Sequence, residues 1–128
     1  MSQENVEKVR AGFAAYNRGD INTLMDMFDP EVEFVTLLQG NRHGKEGLRL
    51  LFEENRDTMP GYRLDPEELI DAGDRVIAVV RFGGVGRVSH IAMDDRLAFL
   101  FTIKEGLVIR QQTFRNKGDA LEAAGLSE

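Results

Sequence analysis

The segment from Phe13 to Phe34 constrains the fold of this chain more than any other. Phe13-Ala-Ala-Tyr16-Asn-Arg-Gly19-Asp20 closes one helical pattern and caps the next. Val6, Val9, Phe13 and Tyr16 recur near a 3.6-residue period, with Ser2 read as N-cap and Gly19 as the C′ residue, where φ > 0 costs glycine little. Asp20 then starts a second helix, which Ile21, Leu24, Met25 and Phe28 carry to Asp29-Pro30. The strand pattern Val32-Glu-Phe34-Val follows at once. Two helices turning over into a strand, with several β runs still to come, predict helices folded across the concave face of a curved sheet. Such a shape leaves a pocket.

A third helix is expected from Lys45, presenting Leu48, Leu51, Phe52 and Met59 and ending at Pro60-Gly61. From Tyr62 the period changes to two. Tyr62 to Asp71 is a β run interrupted at Pro66, which marks an edge or a bulge. Ala72-Gly-Asp74 turns into Val76 to Phe82, and Gly83-Gly-Val-Gly86 reads as a bend between strands. No helix pattern follows those glycines, so they are not a phosphate loop. A long strand ends in Leu97 to Ile103, Lys104-Glu-Gly106 is a tight hairpin turn, and Leu107 to Arg115 returns as the last strand. A short helix around Asp119 to Ala124 closes the chain. No linker or repeat interrupts this order, so residues 1–128 are expected to form one domain.

The composition, 42% hydrophobic and 30% charged over 128 residues, supplies a core that buries roughly two-thirds of the unfolded surface. A net charge of −6 argues against nucleic acid and anionic membrane surfaces, because no basic stripe exists to release counterions from phosphates. No apolar run approaches the ~20 residues of a membrane span. Met1-Ser-Gln-Glu lacks the basic and apolar regions of a signal peptide, and a cytoplasmic location is expected. With no cysteine there is no thiolate nucleophile and no zinc-thiolate site. His43 and His90 lie far apart, without metal-ligand spacing. Neither a metal nor another cofactor is expected.

Five local marks carry a resemblance that covers nearly the whole chain. They are Tyr16-Asn-Arg-Gly-Asp20, Asp29-Pro-Glu-Val-Glu33, His43-Gly-Lys-Glu-Gly47, Glu68-Leu-Ile-Asp-Ala-Gly-Asp74 and Glu105-Gly106. With the order α-α-β-α and then a β meander, the chain resembles the nuclear-transport-factor-2-like superfamily, and within it the SnoaL-like polyketide cyclase group. The resemblance implies a cone-shaped α+β barrel, its helices packed on the concave face of a strongly curved, mainly antiparallel sheet. The marks are caps, turns and core strands, so they identify a scaffold and not an activity.

Carried across residue by residue, the resemblance leaves the catalytic positions of related enzymes mostly empty. The base of ketosteroid isomerase falls on Phe34, its oxyanion aspartate on Phe99 and its helix-one tyrosine near Gly12. Of the limonene-epoxide hydrolase pattern, Arg81 matches the arginine, but Gly83 and Thr113 replace the two aspartates, and Phe34 and Thr36 replace the water-holding tyrosine and asparagine. Without a carboxylate there is no strong general base for water. Phe99 also stands where many SnoaL-type cyclases place a polar group.

What the resemblance leaves is a mainly apolar pocket. In the register it implies, Leu97, Phe99 and Phe101 turn inward, as do Ile109, Gln111, Thr113 and Arg115. Phe34, Thr36 and Phe52 line the wall opposite, with Arg81 near the far end. Arg81 and Arg115 would clamp a carboxylate or enolate, or else pair with acidic neighbours. Gln111 would meet a ligand, a structural hydrogen bond or a second copy, and Tyr16 would either donate its hydroxyl inward or serve as a core aromatic. His43 reads as a turn residue. His90 is the better acid–base candidate but is expected on a solvent-facing strand position. Asp94 and Asp95 are expected at an exposed strand start, and Glu53-Glu54 and Glu67-Glu68 on solvated faces. No catalytic residue is assigned.

The other sheet face, with Ala98, Leu100, Arg110, Gln112 and Phe114, predicts a homodimer. Two functions compete. One is binding of a small, mostly apolar molecule bearing a carbonyl or carboxylate, with an isomerase- or cyclase-type proton transfer if it reacts. The other is a non-catalytic dimeric scaffold whose cone is filled by its own phenylalanines. An open cavity of at least ~300 Å³ separates them.

Overall fold

A computed structural model describes residues 2–37, 40–58, 61–85 and 92–126. The fold is mixed α+β, with one open, curved, six-stranded sheet. In chain order the elements are α1 (Ser2–Asn17), α2 (Ile21–Met25), β1 (Phe28–Val35), β2 (Arg42–His43), α3 (Gly44–Thr58), β3 (Arg63–Ala72), β4 (Arg75–Val85), β5 (Ala92–Lys104), β6 (Leu107–Phe114) and α4 (Lys117–Ala123). The strands lie in the order β2-β1-β6-β5-β4-β3. All neighbours are antiparallel except β1 and β6, which run parallel.

The turn between the first two helices forms as its residues dictate. The Gly19 N–H donates to the Tyr16 carbonyl at 3.0 Å and the Asp20 N–H to the Ala15 carbonyl at 2.9 Å, with Gly19 at φ +77°. Those two bonds satisfy carbonyls that the end of α1 would otherwise leave unpaired. The Asp20 carboxylate caps α2, accepting from the Thr23 N–H at 3.2 Å and the Thr23 hydroxyl at 2.6 Å. Here the expectation of a helix to Asp29-Pro30 is corrected, because α2 stops at Met25 and Phe28 already opens β1. The Met27 carbonyl accepts the Val108 N–H at 2.8 Å, so pairing with β6 takes backbone that a longer helix would have used.

Pro66 reads correctly in both senses, since β3 is an edge strand and carries a bulge between Pro66 and Glu68. Two further expectations change. Gly83 and Gly84 continue β4 as far as Val85. A Cβ on Gly84 would stand 2.9 Å from the Tyr62 Cα, so the glycine lets the chain ahead of β3 approach closely. His43, expected in a turn, lies in β2 opposite Glu33. Met59, Pro60, Gly86 and His90 lie outside the described residues.

On the concave face, Val9 and Phe13 of α1, Leu24 of α2, and Leu48, Leu51 and Phe52 of α3 share one core with Val76, Ala78, Val80, Phe99 and Phe101 of the sheet. On the convex face α4 lays Ala120, Leu121 and Ala124 over Ile77, Ala98 and Leu100, with Phe114 beside them. Leu100 is only 2% exposed. The apolar outer face read as a dimer surface is therefore covered in large part by the chain's own last helix.

Candidate conical cavity

The helices do not fill the concave face. A cavity of about 330 Å³ remains between α1, α3 and the sheet. On α1, Val9, Phe13 and Tyr16 point into it, spaced so that they share one helix face. On α3, Leu51, Phe52 and Asn55 do the same. The sheet contributes Phe34 from β1, Leu64 from β3, Phe82 from β4, Leu97, Phe99 and Phe101 from β5, and Gln111 and Thr113 from β6. Leu37 lines the cavity yet stays exposed, so the cavity opens beside it.

The phenylalanines ring this space and brace one another. The Phe52 ring lies 5.4 Å from Tyr16, 5.9 Å from Phe34 and 6.4 Å from Phe28. Phe13 lies 6.0 Å from Phe99 and 5.9 Å from Phe101. These are tilted and edge-on contacts, the geometry in which aromatic pairs attract.

Four kinds of polar group interrupt the apolar wall. Gln111 is 5% exposed, and its side chain makes no hydrogen bond with any described residue. Its amide atoms nevertheless count as open rather than sealed, so they face the cavity. Thr113 stands beside it with its hydroxyl equally free of partners among the described residues. On the helical side the Asn55 side chain hydrogen-bonds the Tyr16 hydroxyl. Burial, and secondarily the neighbouring Tyr62, push the Tyr16 hydroxyl well above its usual pKa. Burial also raises Tyr62, from 10.0 to about 12. Among the described residues the lining holds no carboxylate, histidine, lysine or arginine. At neutral pH every described lining group is therefore uncharged. The site offers hydrogen bonds for orientation and apolar area for affinity, and its described lining holds no proton acceptor of ordinary strength.

Tyr16, Phe34, Thr36, Phe52, Phe99, Gln111 and Thr113 are brought together around this cavity. Three inward placements need correction. Arg81 lies on the convex face, where its Nε and Nη2 donate to the two Asp94 carboxylate oxygens at 2.8 Å each. The alternation of β4 explains this: Val80 and Phe82 are buried on the concave side, so the residue between them must point the other way. Arg115 is exposed just past the end of β6 and does not reach the cavity. Ile109 is displaced by a bulge. Ile103 pairs with Val108 and Thr102 with Arg110, leaving Ile109 as the extra residue while Val108 takes the core position.

Asp94 and Asp95 are exposed, as are Glu67 and Glu68, which pair with Arg96 and Lys117. His43 is exposed, with Nε2 3.4 Å from a Glu31 carboxylate oxygen. Asn55 and Tyr62 escaped the sequence reading as site residues. For Asn55 a signal existed, because Leu48, Leu51, Phe52 and Asn55 fall at i, i+3, i+4 and i+7 on one helix face. Tyr62 shares strand parity with Leu64, its neighbour on the same wall.

No curated protein sequence matches the chain. Among solved structures it is similar to Bal32a from a soil-derived mobile gene cassette, with 26% identity over 88% of each chain and a TM-score of 0.82. A protein of ketosteroid isomerase-like fold from Catenulispora acidiphila, solved in complex with trimethylamine, shares 20% identity over 94% of this chain and 93% of its own, at a TM-score of 0.79. TerC, co-crystallized with polyporic acid, shares 22% identity over 95% of this chain and 98% of its own, also at 0.79. The family model of the SnoaL-like domain matches residues 9–111, most of the length, and the chain belongs to that family.

Proposed function

We propose that this protein binds one small, neutral, mostly apolar molecule bearing a carbonyl group in its conical cavity. The observation that carries the reading is Gln111, a nearly buried residue whose amide has no partner among the described residues, set in a wall whose described side chains are uncharged and largely aromatic. The amide is open to the cavity, and a ligand that shuts water out of it must replace the hydrogen bonds that water would give. A ligand carbonyl accepting from the Gln111 amide, with Thr113 beside it, meets that need. The carboxylate-bearing alternative loses its support here, since Arg81 and Arg115 lie elsewhere. The volume of about 330 Å³ falls within the range of small-molecule sites and disfavours a cone filled by its own side chains. TerC with polyporic acid and the Catenulispora protein with trimethylamine support it as cases of the same fold holding small organic molecules.

The reading is one of binding. Isomerase- or cyclase-type proton transfer would need a base that the described lining lacks. A homodimer through the outer face would have to use what α4 leaves open, chiefly the polar stretch around Arg110 and Gln112 and the ion pairs of β4 and β5. That favours a weak, salt-sensitive pair over an obligate one.

A thermal-shift series with hydrophobic ketones, lactones and quinones tests the proposal. A ligand bound only by the folded state raises the melting temperature with its concentration. A dose-dependent rise confined to one of these classes is expected. A flat response across all three would sink the reading and leave the scaffold alternative.

A further inference from the structure

We propose that a second cavity, separated from the first by the side chains of Tyr16, Phe52 and Tyr62, binds the carboxylate of a small organic acid through Arg56. This cavity measures about 320 Å³ and shares those three aromatic residues with the conical one. Arg18, Arg56 and Arg63 line it, and no acidic side chain does so among the described residues. Three guanidinium groups converge here in a chain whose net charge is −6.

The three are not equivalent. Arg18 is paired with Asp20 at 3.3 Å. Arg63 is held by Asp65 through two bonds, of 2.8 and 3.2 Å. Arg56 has no carboxylate partner among the described residues; its Nη2 donates to the Gly19 carbonyl at 2.7 Å. That bond anchors the guanidinium to the turn that closes α1 and leaves its other N–H donors available. The end of a helix is normally unfavourable for an anion, because its free carbonyls carry partial negative charge. At this one the Ala15 and Tyr16 carbonyls are already satisfied by the Asp20 and Gly19 N–H groups, and Arg56 takes the Gly19 carbonyl. One uncompensated guanidinium matches one carboxylate, which its planar fork binds in bidentate fashion. Phe52, Tyr62 and Ile21 also line this cavity and give the organic body of such an acid apolar contact.

This inference stands apart from the conical cavity, whose lining is uncharged, and calorimetry with benzoate and its neutral counterpart benzamide separates the two. Benzoate is expected to bind, more weakly as salt is raised, with benzamide at least roughly tenfold weaker. Arg56→Gln should lower benzoate affinity by roughly tenfold or more, while the variant's response to ketones stays as in the parent. Equal binding of benzoate and benzamide, unchanged benzoate affinity in Arg56→Gln, or no benzoate binding at all would each overturn the proposal. A readout that needs no variant is the side-chain Nε–Hε resonance of Arg56 in ¹⁵N-labelled protein. It should move with benzoate and not with benzamide, and an unmoved resonance would also overturn the assignment.

Discussion

Gln111 is where stability and the proposed use of this fold pull apart. Its amide opens onto an aromatic cavity and has no hydrogen-bond partner among the described residues, so folding shields it from bulk water without giving it a bond in return. Gln111→Leu should therefore stabilise the unliganded protein by about 1 kcal/mol, read as a higher urea midpoint, and weaken a bound ketone by about 1 kcal/mol. A lower midpoint for the variant would mean that the amide is internally satisfied after all. Arg81→Ala is the control: its ion pair with Asp94 is exposed on the convex face, and ligand affinity should not change. Legibility at this scale followed strand parity. Phe99, Gln111 and Thr113 could be placed by alternation on β5 and β6. Arg81 was misplaced because matching a relative's arginine overrode the alternation of Ala78, Val80 and Phe82 in its own strand. Ile109 was misplaced because a one-residue bulge reverses parity and leaves no mark in the residues beside it.

Among the elements, Asn17 supplies the hydrogen bonds of the joint between α1 and β3, beside the packing of Leu64 and Leu69 on the core. The Asn17 amide donates to the Leu64 carbonyl and accepts from the Leu64 N–H, both at 2.8 Å. It thus gives the edge strand the two hydrogen bonds that a neighbouring strand would have supplied. Asn17→Ala leaves a partly buried donor and acceptor unpaired and should cost about 1–3 kcal/mol. The same variant should speed amide exchange at Leu64, which a loss of helix stability alone would not do. Element types were mostly readable, since caps and periods are local. The exception is instructive: Phe28 suits both the i, i+4 pattern of α2 and a strand. What decided the matter is Val108, which holds the preceding carbonyl from the far end of the sequence. A hydrogen bond of that span cannot be seen in a short window. The covering of Ala98 and Leu100 by α4 was hidden for the same reason.

For the whole molecule, the aromatic inventory makes the site measurable. The chain contains two tyrosines and no tryptophan, and both tyrosines border the cavity. Folded Tyr62 titrates near 12 and Tyr16 is raised as well, whereas an unfolded chain releases these protons near 10. Because the folded values are raised, this contribution to stability is complete below pH 10 and is lost as pH climbs toward 12. Absorbance at 295 nm should show almost no tyrosinate until the protein begins to unfold in that window. An early, reversible rise near pH 10 with the fold intact would place the hydroxyls in water instead. Sedimentation at micromolar concentration addresses assembly: a pair held by the polar remainder of the outer face should dissociate as salt rises, and a salt-resistant dimer would contradict that.

The parallel pairing of β1 with β6 also bears on how this protein is made. The chain leaves the ribosome from its amino end, and α1, α2, β1, β2 and α3 emerge before β3, β4, β5 and β6. β1 has no long neighbour until β6, nearly the last element, is released, because in the sheet order nothing else but the two-residue β2 lies beside it. Until then β1, which carries Phe28 and Phe34, has only α3 and the two-residue β2 beside it. The sheet cannot close beside β1 until β6 has emerged, and until then the apolar side chains of β1 lack part of their cover, which is where chaperones that bind nascent polypeptides would compete.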